Sequence, residues 1–220
     1  MNTIKFSATV VTFLSLLFTS CKKEIIHGKG DIITQERTVS NFSRVKITGI
    51  TDVTLIQGSS FRVTVSDYEN LVDEVETALS GDELRVGYKR NVWVTKGKSK
   101  AVITMPSLKG VRVDGSGDFI IEGPFTGTSL FSVEINGSGN VSINNAIVDE
   151  ADIHISGSGD VRNFGLQCNK ATVKVSGSGN TEITVHNLLD VRINGSGDVY
   201  YKGTASVSAS ISGSGKVIKR

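Results

Sequence analysis

Two cysteines and two prolines in 220 residues leave this chain almost without covalent or conformational bracing. A disulfide-stapled scaffold is excluded, so packing and hydrogen bonds must hold the fold. Neither sign of charge prevails, with 24 Lys and Arg against 22 Asp and Glu, so no strong field draws the chain onto nucleic acid. Aromatic residues make up only 6%, and Trp93 is the single tryptophan. Trp93, Tyr88, Tyr200 and Tyr201 could stack on sugars, but packing is the default role for so small a set. Apolar content, at 38%, is that of a globular chain and excludes disorder throughout. Glycine is abundant, with 24 residues, and it lacks the Gly-X-Y period of collagen.

Residues 1–20 read as an export address. Lys5 precedes an apolar stretch from Phe6 to Phe18 that is too short for a bilayer span, which needs about 20 residues, but fits the apolar core of a signal peptide. The stretch ends at Phe18-Thr19-Ser20-Cys21, which resembles a bacterial lipoprotein signal, in which Cys21 would be acylated and become the new terminus; an ordinary secretory signal with an incidental cysteine is the alternative. Acylation at Cys21 would anchor the protein to a membrane without spanning it. Residues 21–40 then read as a lipidated tether. Cys168 is left alone among apolar neighbours, as an inert buried thiol.

Half of the glycine lies in six Gly-Ser-Gly triplets at 115–117, 137–139, 157–159, 177–179, 195–197 and 213–215. Their starts step by 22, 20, 20, 18 and 18 residues. Two residues before each triplet stand Val113, Ile135, Ile155, Val175, Ile193 and Ile211, with a second apolar column two residues earlier. Between them runs a polar column of Arg112, Glu134, His154, Lys174, Arg192 and Ser210. This is the alternation of a half-buried strand. It keeps its phase across the triplet to Phe119, Val141, Val161, Thr181, Val199 and Val217. Each triplet therefore reads as a bend within an extended segment, with glycine where the backbone turns or approaches a neighbour.

One such strand cannot bury its apolar face alone. A unit of about 20 residues suits one coil of a β-solenoid stacked at about 4.8 Å per rung. A β-sandwich of hairpins is the competing architecture, but it would not require the same triplet at each step. Val45 to Leu55 repeats the phase in degenerate form, with Gly49 and Asp52 matching the first glycine and the acid after the triplet. Between that unit and the regular coils, Phe61 to Val65 reads as a strand, Tyr68 to Val75 as a short helix, and Glu76 to Tyr88 as a hairpin around Gly81-Asp82. Val92, Val94 and Ala101 to Met105 add further strand. Lys216, Lys219 and Arg220 put positive charge on the last coil, which discourages edge-to-edge association.

Several of these segments resemble the auto-transporter adhesin head GIN domain family, common as exported lipoproteins in Bacteroidetes. The matching stretches are Phe42-Ser43-Arg44-Val45-Lys46-Ile47, Gly49-Ile50-Thr51-Asp52-Val53, Gly81-Asp82-Glu83-Leu84-Arg85-Val86 and the repeated Val-x-Gly-Ser-Gly-Asp units. The resemblance covers nearly all of the chain after residue 41. It implies an all-β fold, a right-handed parallel β-helix, together with an extracytoplasmic location and an adhesin role. It supplies no catalytic residues.

The residue after each triplet is Asp118, Asn140, Asp160, Asn180, Asp198 and finally Lys216. Alternating acid and amide keeps like charges about two rungs apart, which makes this column a stabilising ladder. The same outward corner also forms a candidate binding stripe of Asp114, Asn136 and Asn194 before the triplets, Ser116, Ser138, Ser158, Ser178 and Ser196 within them, and the acids and amides after them. Such a grid of hydroxyls and amides could hydrogen-bond to glycans. Calcium-binding β-rolls repeat every nine residues rather than every 18 to 22, and the scattered His27, His154 and His186 form no zinc motif, so no metal is expected. No phosphate-binding loop is present either.

These readings give a lipoprotein with signal peptide 1–20, tether 21–40 and a solenoid domain over 41–220, in which 58–105 is an irregular flank and 106–220 the regular coils. It is expected to be attached by its lipid to the cell envelope, at the outer membrane. It would bind glycan, lipid or protein ligands without catalysis or cofactor, and its exposed coil faces could support self-association. The alternative is a polysaccharide lyase or hydrolase using Asp114, Asp118, Asp160 or Asp198 in a lateral groove.

Overall fold

The computed structural model describes residues 24–220, so the signal segment and Cys21 lie outside the described residues. From residue 110 onward the chain winds as a parallel β-solenoid. The apolar column before the triplets is buried in every coil but the last, with Ile135 at 0% and Ile155 at 1% exposure. Each such side chain contributes roughly 1.5–3 kcal/mol by leaving water. Successive coils pair in parallel with the repeats in register. Ile135 lies opposite Val113 and Ile155, Val175 opposite Ile155 and Ile193, and Ile211 opposite Ile193. An all-parallel stack is incompatible with the hairpin sandwich.

Glycine is required at the corner by contact between coils. Gly157 has φ of +135°, and a Cβ on Gly159 would stand 2.1 Å from the Gly139 carbonyl oxygen. Each triplet thus packs its backbone directly on the triplet before it. Beyond the corner a second face carries Phe119, Val141, Val161, Thr181, Val199 and Val217 in one ladder. A third face pairs Ala146 with Leu166 and Cys168 with Val185. The changing repeat length is absorbed on this third face, where the register shifts between Thr126 and Thr128 and between Cys168 and Lys170.

The degenerate unit is a true coil. Val45, Ile47 and Gly49 pair with Val111, Val113 and Gly115, and Val53 pairs with Phe119. Its outer side is covered by the irregular flank, which adds one more turn to the stack. Strand Glu83–Tyr88 pairs in parallel with Arg44–Gly49, and Lys100–Met105 in parallel with Asp52–Gln57. Antiparallel strands then close this end: Val75–Ser80 on Glu83–Tyr88, and Arg62–Tyr68 on Lys100–Met105. The expected hairpin around Gly81-Asp82 is therefore present. The expected short helix is only the 3-10 turn Val72–Glu74, because Arg62–Tyr68 continues as strand through Tyr68.

The segment expected to be a tether takes part in the fold from residue 24. Ile32–Arg37 pairs antiparallel with Arg62–Tyr68, and Glu24–His27 in parallel with Val92–Thr95. Backbone hydrogen bonds hold these strands, and most side chains of Ile32–Arg37 stay in solvent. Their polar sequence therefore shows little of the alternation that marks a half-buried strand.

Candidate binding surface and corner groove

The stripe residues come together along one corner of the solenoid, as three adjacent rows with different surroundings. In the row after the triplets each side-chain oxygen accepts the next coil's backbone N–H. Asn140 donates to Asp118 Oδ1 at 2.9 Å, Asp160 to Asn140 Oδ1 at 3.1 Å, and Asn180 to Asp160 Oδ1 at 2.7 Å. Asp198 continues to Asn180 Oδ1 at 2.9 Å and Lys216 to Asp198 Oδ1 at 2.8 Å. Asp52 starts the ladder by accepting the Asp118 N–H at 3.1 Å. Besides spacing charge, this column carries corner backbone donors that would otherwise need water.

In the row before the triplets, Asp114 is enclosed by Lys46 Nζ at 2.6 Å, Arg112 Nε at 2.9 Å and Asn136 Nδ2 at 2.9 Å. Partial burial raises its pKa, but hydrogen bonds from Lys46, Asn136 and Arg112 and the Arg112 charge outweigh that and hold it at about 2. Arg112 also reaches Glu134 at 3.2 Å, so neighbours in the polar column pair across coils. The four aspartates proposed for catalysis thus act as an ion-paired group, Asp114, and three ladder acceptors, Asp118, Asp160 and Asp198. Ser116, Ser138, Ser158, Ser178 and Ser196 point to solvent between these rows. Cys168 is buried, and burial pushes its thiol up to about 12, which suits the inert role.

A second feature depends on residues from three separate segments. In the regular coils the corner is closed by Gly-Ser-Gly. In the flank's turn the chain instead leaves strand Glu83–Tyr88 and returns only at Lys100, with strand Val92–Thr95 on the excursion. Asp67, fully buried, ties both ends down: it accepts the Tyr88 hydroxyl and, at 3.0 Å, the Lys98 N–H. Burial and that hydrogen bond raise the Tyr88 pKa above its ordinary range. Between excursion and first coil opens a groove of about 660 Å³, lined by Lys46, Ile50, Arg85, Lys89, Arg90 and Trp93 among others.

The groove is basic for a structural reason. Arg85, Lys46 and Arg112 follow one another in the polar column of successive coils, where like charges are about 4.8 Å apart. Glu76 pairs with Arg85, Asp114 with Lys46, and Glu74 with Lys89 at 3.3 Å. Arg90 has no ion pair among the described residues. Desolvation and the nearby Arg90 charge both lower the Arg85 pKa. Trp93 is 55% exposed and Ile50 48%, giving the cationic groove an apolar wall. Lys46 and Arg85 look in sequence like ordinary outward residues of a strand. The signal that marks the place is Tyr88-Lys89-Arg90 followed by the sole tryptophan, outside the repeat.

Fold and surface together define a capped β-solenoid with a polar corner and a basic groove at its irregular end. A family model described as "Putative auto-transporter adhesin, head GIN domain" matches residues 41–219, and the chain belongs to that family. Solved structures share the fold. A "putative adhesin" from Bacteroides fragilis NCTC 9343 is 22% identical, with a TM-score of 0.74 over 89% of this chain and 100% of that one. A "putative lipid binding protein" from Parabacteroides distasonis ATCC 8503 is 26% identical, with a TM-score of 0.56 over 90% and 100%. A further "putative adhesin", from Parabacteroides merdae ATCC 43184, is 23% identical, with a TM-score of 0.54 over 90% and 99%. No curated protein matches the chain.

Proposed function

We propose that this chain is a non-catalytic adhesin of the cell envelope, exported by residues 1–20, held at the outer membrane by acylated Cys21, and binding acidic glycan in the corner groove. The observation that carries the reading is the groove itself: Trp93 and Ile50 as an apolar wall beside Arg85, Lys89 and Arg90. A pyranose ring can lay its C–H face on the indole while its carboxylate or sulfate meets the guanidinium groups. Arg90 supplies charge that no acid among the described residues neutralises. The exposed serine row is a second, weaker contact face, because the acid and amide rows beside it are already engaged in the stack. Polysaccharide cleavage finds less support, since the ladder aspartates are committed to backbone N–H groups and Asp114 to Lys46 and Arg112.

Calorimetric titration of a chain beginning at Lys22, which retains every described strand, tests this reading. Hexagalacturonate should bind, maltohexaose should not, and Arg90→Glu should remove the binding. Equal heats for the charged and neutral oligosaccharides, or an Arg90→Glu variant that binds as well as the parent, would contradict it. New reducing ends in the same samples would reverse the non-catalytic assignment.

A further inference from the structure

The two ends of the stack are finished differently. At the flank end, antiparallel strands cover the last parallel turn. At the other end, strand Ser206–Gly213 pairs with the preceding coil and with nothing else among the described residues. Its inward residues are consequently open to water: Val207 is 39% exposed and Ile211 42%, whereas their counterparts one coil earlier, Leu189 and Ile193, are at 0% and 2%.

This strand also departs from the repeat in composition. The preceding coil places Asp190 and Arg192 on the outward side, where this strand has Ser208 and Ser210. From Ser206 to Gly213 there is no charge and no proline, two of the devices that keep a strand edge from pairing. Lys216, Lys219 and Arg220 guard only the neighbouring edge, Val217–Lys219. The sequence Ser206-Val207-Ser208-Ala209-Ser210-Ile211-Ser212 reads the same in both directions by side-chain class.

We propose that this edge pairs with the same edge of a second copy, antiparallel across a two-fold axis at Ala209. Ser206 then faces Ser212 of the partner subunit, Val207 faces Ile211, and Ser208 faces Ser210. Apolar residues meet apolar residues on the core side, hydroxyls meet hydroxyls outside, and the exposed end of the core is closed. Such a contact is isologous and stops at two copies. The rotation exchanges the two flanking faces of the coil. Lys216 and Lys219 therefore do not meet their own counterparts across the axis, although this register brings Lys216 near Lys202 of the partner subunit. A head-to-tail contact would instead set this uncharged strand against Ile32–Arg37, which carries Glu36 and Arg37, or Val75–Ser80, which carries Glu76. Neither repeats the palindrome. The inference is independent of what the groove binds.

Sedimentation velocity of the chain beginning at Lys22 decides the matter. The parent should sediment as a dimer. Ser208→Lys with Ser210→Lys, both at exposed positions, brings four positive charges together across the axis and should halve the mass without changing the circular dichroism spectrum. Ser208→Lys with Ser210→Glu sets each introduced lysine opposite an introduced glutamate in the partner and should restore the dimer. A monomeric parent, a dimer that survives the double-lysine change, or a lysine–glutamate variant that stays monomeric would overturn the proposal. Antiparallel pairing in this register is the arrangement in which the mixed pair rescues the contact.

Discussion

Replacing one corner glycine by alanine measures how tightly the coils are locked together. At Gly157 φ is +135°, and an added Cβ would lie 2.2 Å from the Gly137 carbonyl oxygen and 3.0 Å from its carbonyl carbon. Both atoms belong to the backbone of the coil beneath, so no flexible side chain can move aside. Backbone strain of about 1–3 kcal/mol and overpacking of about 1–3 kcal/mol act together, for a loss of about 2–6 kcal/mol. Gly81 is the control. It also has positive φ, +62°, but a Cβ there meets nothing within 4 Å, so Gly81→Ala should cost only about 1–2 kcal/mol for the left-handed conformation. Urea unfolding followed by circular dichroism gives the two losses on one scale. If Gly157→Ala costs no more than Gly81→Ala, direct backbone contact between coils is not what selects glycine at the corner.

The remaining predictions concern the flank, acid stability and the anchor. Asp67→Ala leaves the Tyr88 hydroxyl and the Tyr68 and Lys98 N–H groups without their acceptor, at about 1–3 kcal/mol for each group that stays buried. The excursion should loosen, seen as lower melting temperature and lower Trp93 fluorescence anisotropy, and parent-like values for both would refute the anchoring role. Asp114 has its folded pKa held at about 2, below the ordinary value of about 3.9. Its contribution is therefore present above that ordinary value and lost as pH falls through the folded one. Asp114→Asn should flatten the melting temperature's decline between about pH 4 and pH 2, and an unchanged slope would show that other groups cause it. Cys21→Ser should shift the protein from membrane to soluble fractions of cells, and retention in the membrane would disprove the lipid anchor.

Legibility in the sequence followed the physics of repetition. A buried Ile155 or a corner Gly159 recurs because each coil faces the same neighbour, so a column of like residues marks both the strand and its register. The degenerate coil was readable for the same reason, since Gly49 and Asp52 meet Gly115 and Asp118 in the roles the repeat assigns. Ile32–Arg37 was not, because an edge strand held by its backbone needs no alternation of side chains. Nor was the short helix correctly placed: apolar spacing around Leu71, Val72 and Val75 can be satisfied by a single 3-10 turn. The groove was the least legible. Lys46, Ile50, Arg85 and Trp93 come from segments brought together only by the flank's extra turn, and each has an ordinary explanation within its own strand or loop. The stripe illustrates the converse: its acids and amides were conspicuous because they repeat, and they repeat because the stack uses them.

In the function proposed above, the regular coils supply the scaffold and the irregular end supplies recognition. Amide and indole N–H spectra of the chain beginning at Lys22, recorded during titration with hexagalacturonate, test it directly, because the lone tryptophan gives one assignable indole signal. The Trp93 indole and the amides of Ile50, Lys89 and Arg90 should shift together and saturate, while the amides of Ser138, Ser158 and Ser178 move little. Shifts confined to the serine row, with the Trp93 signal unmoved, would contradict the account.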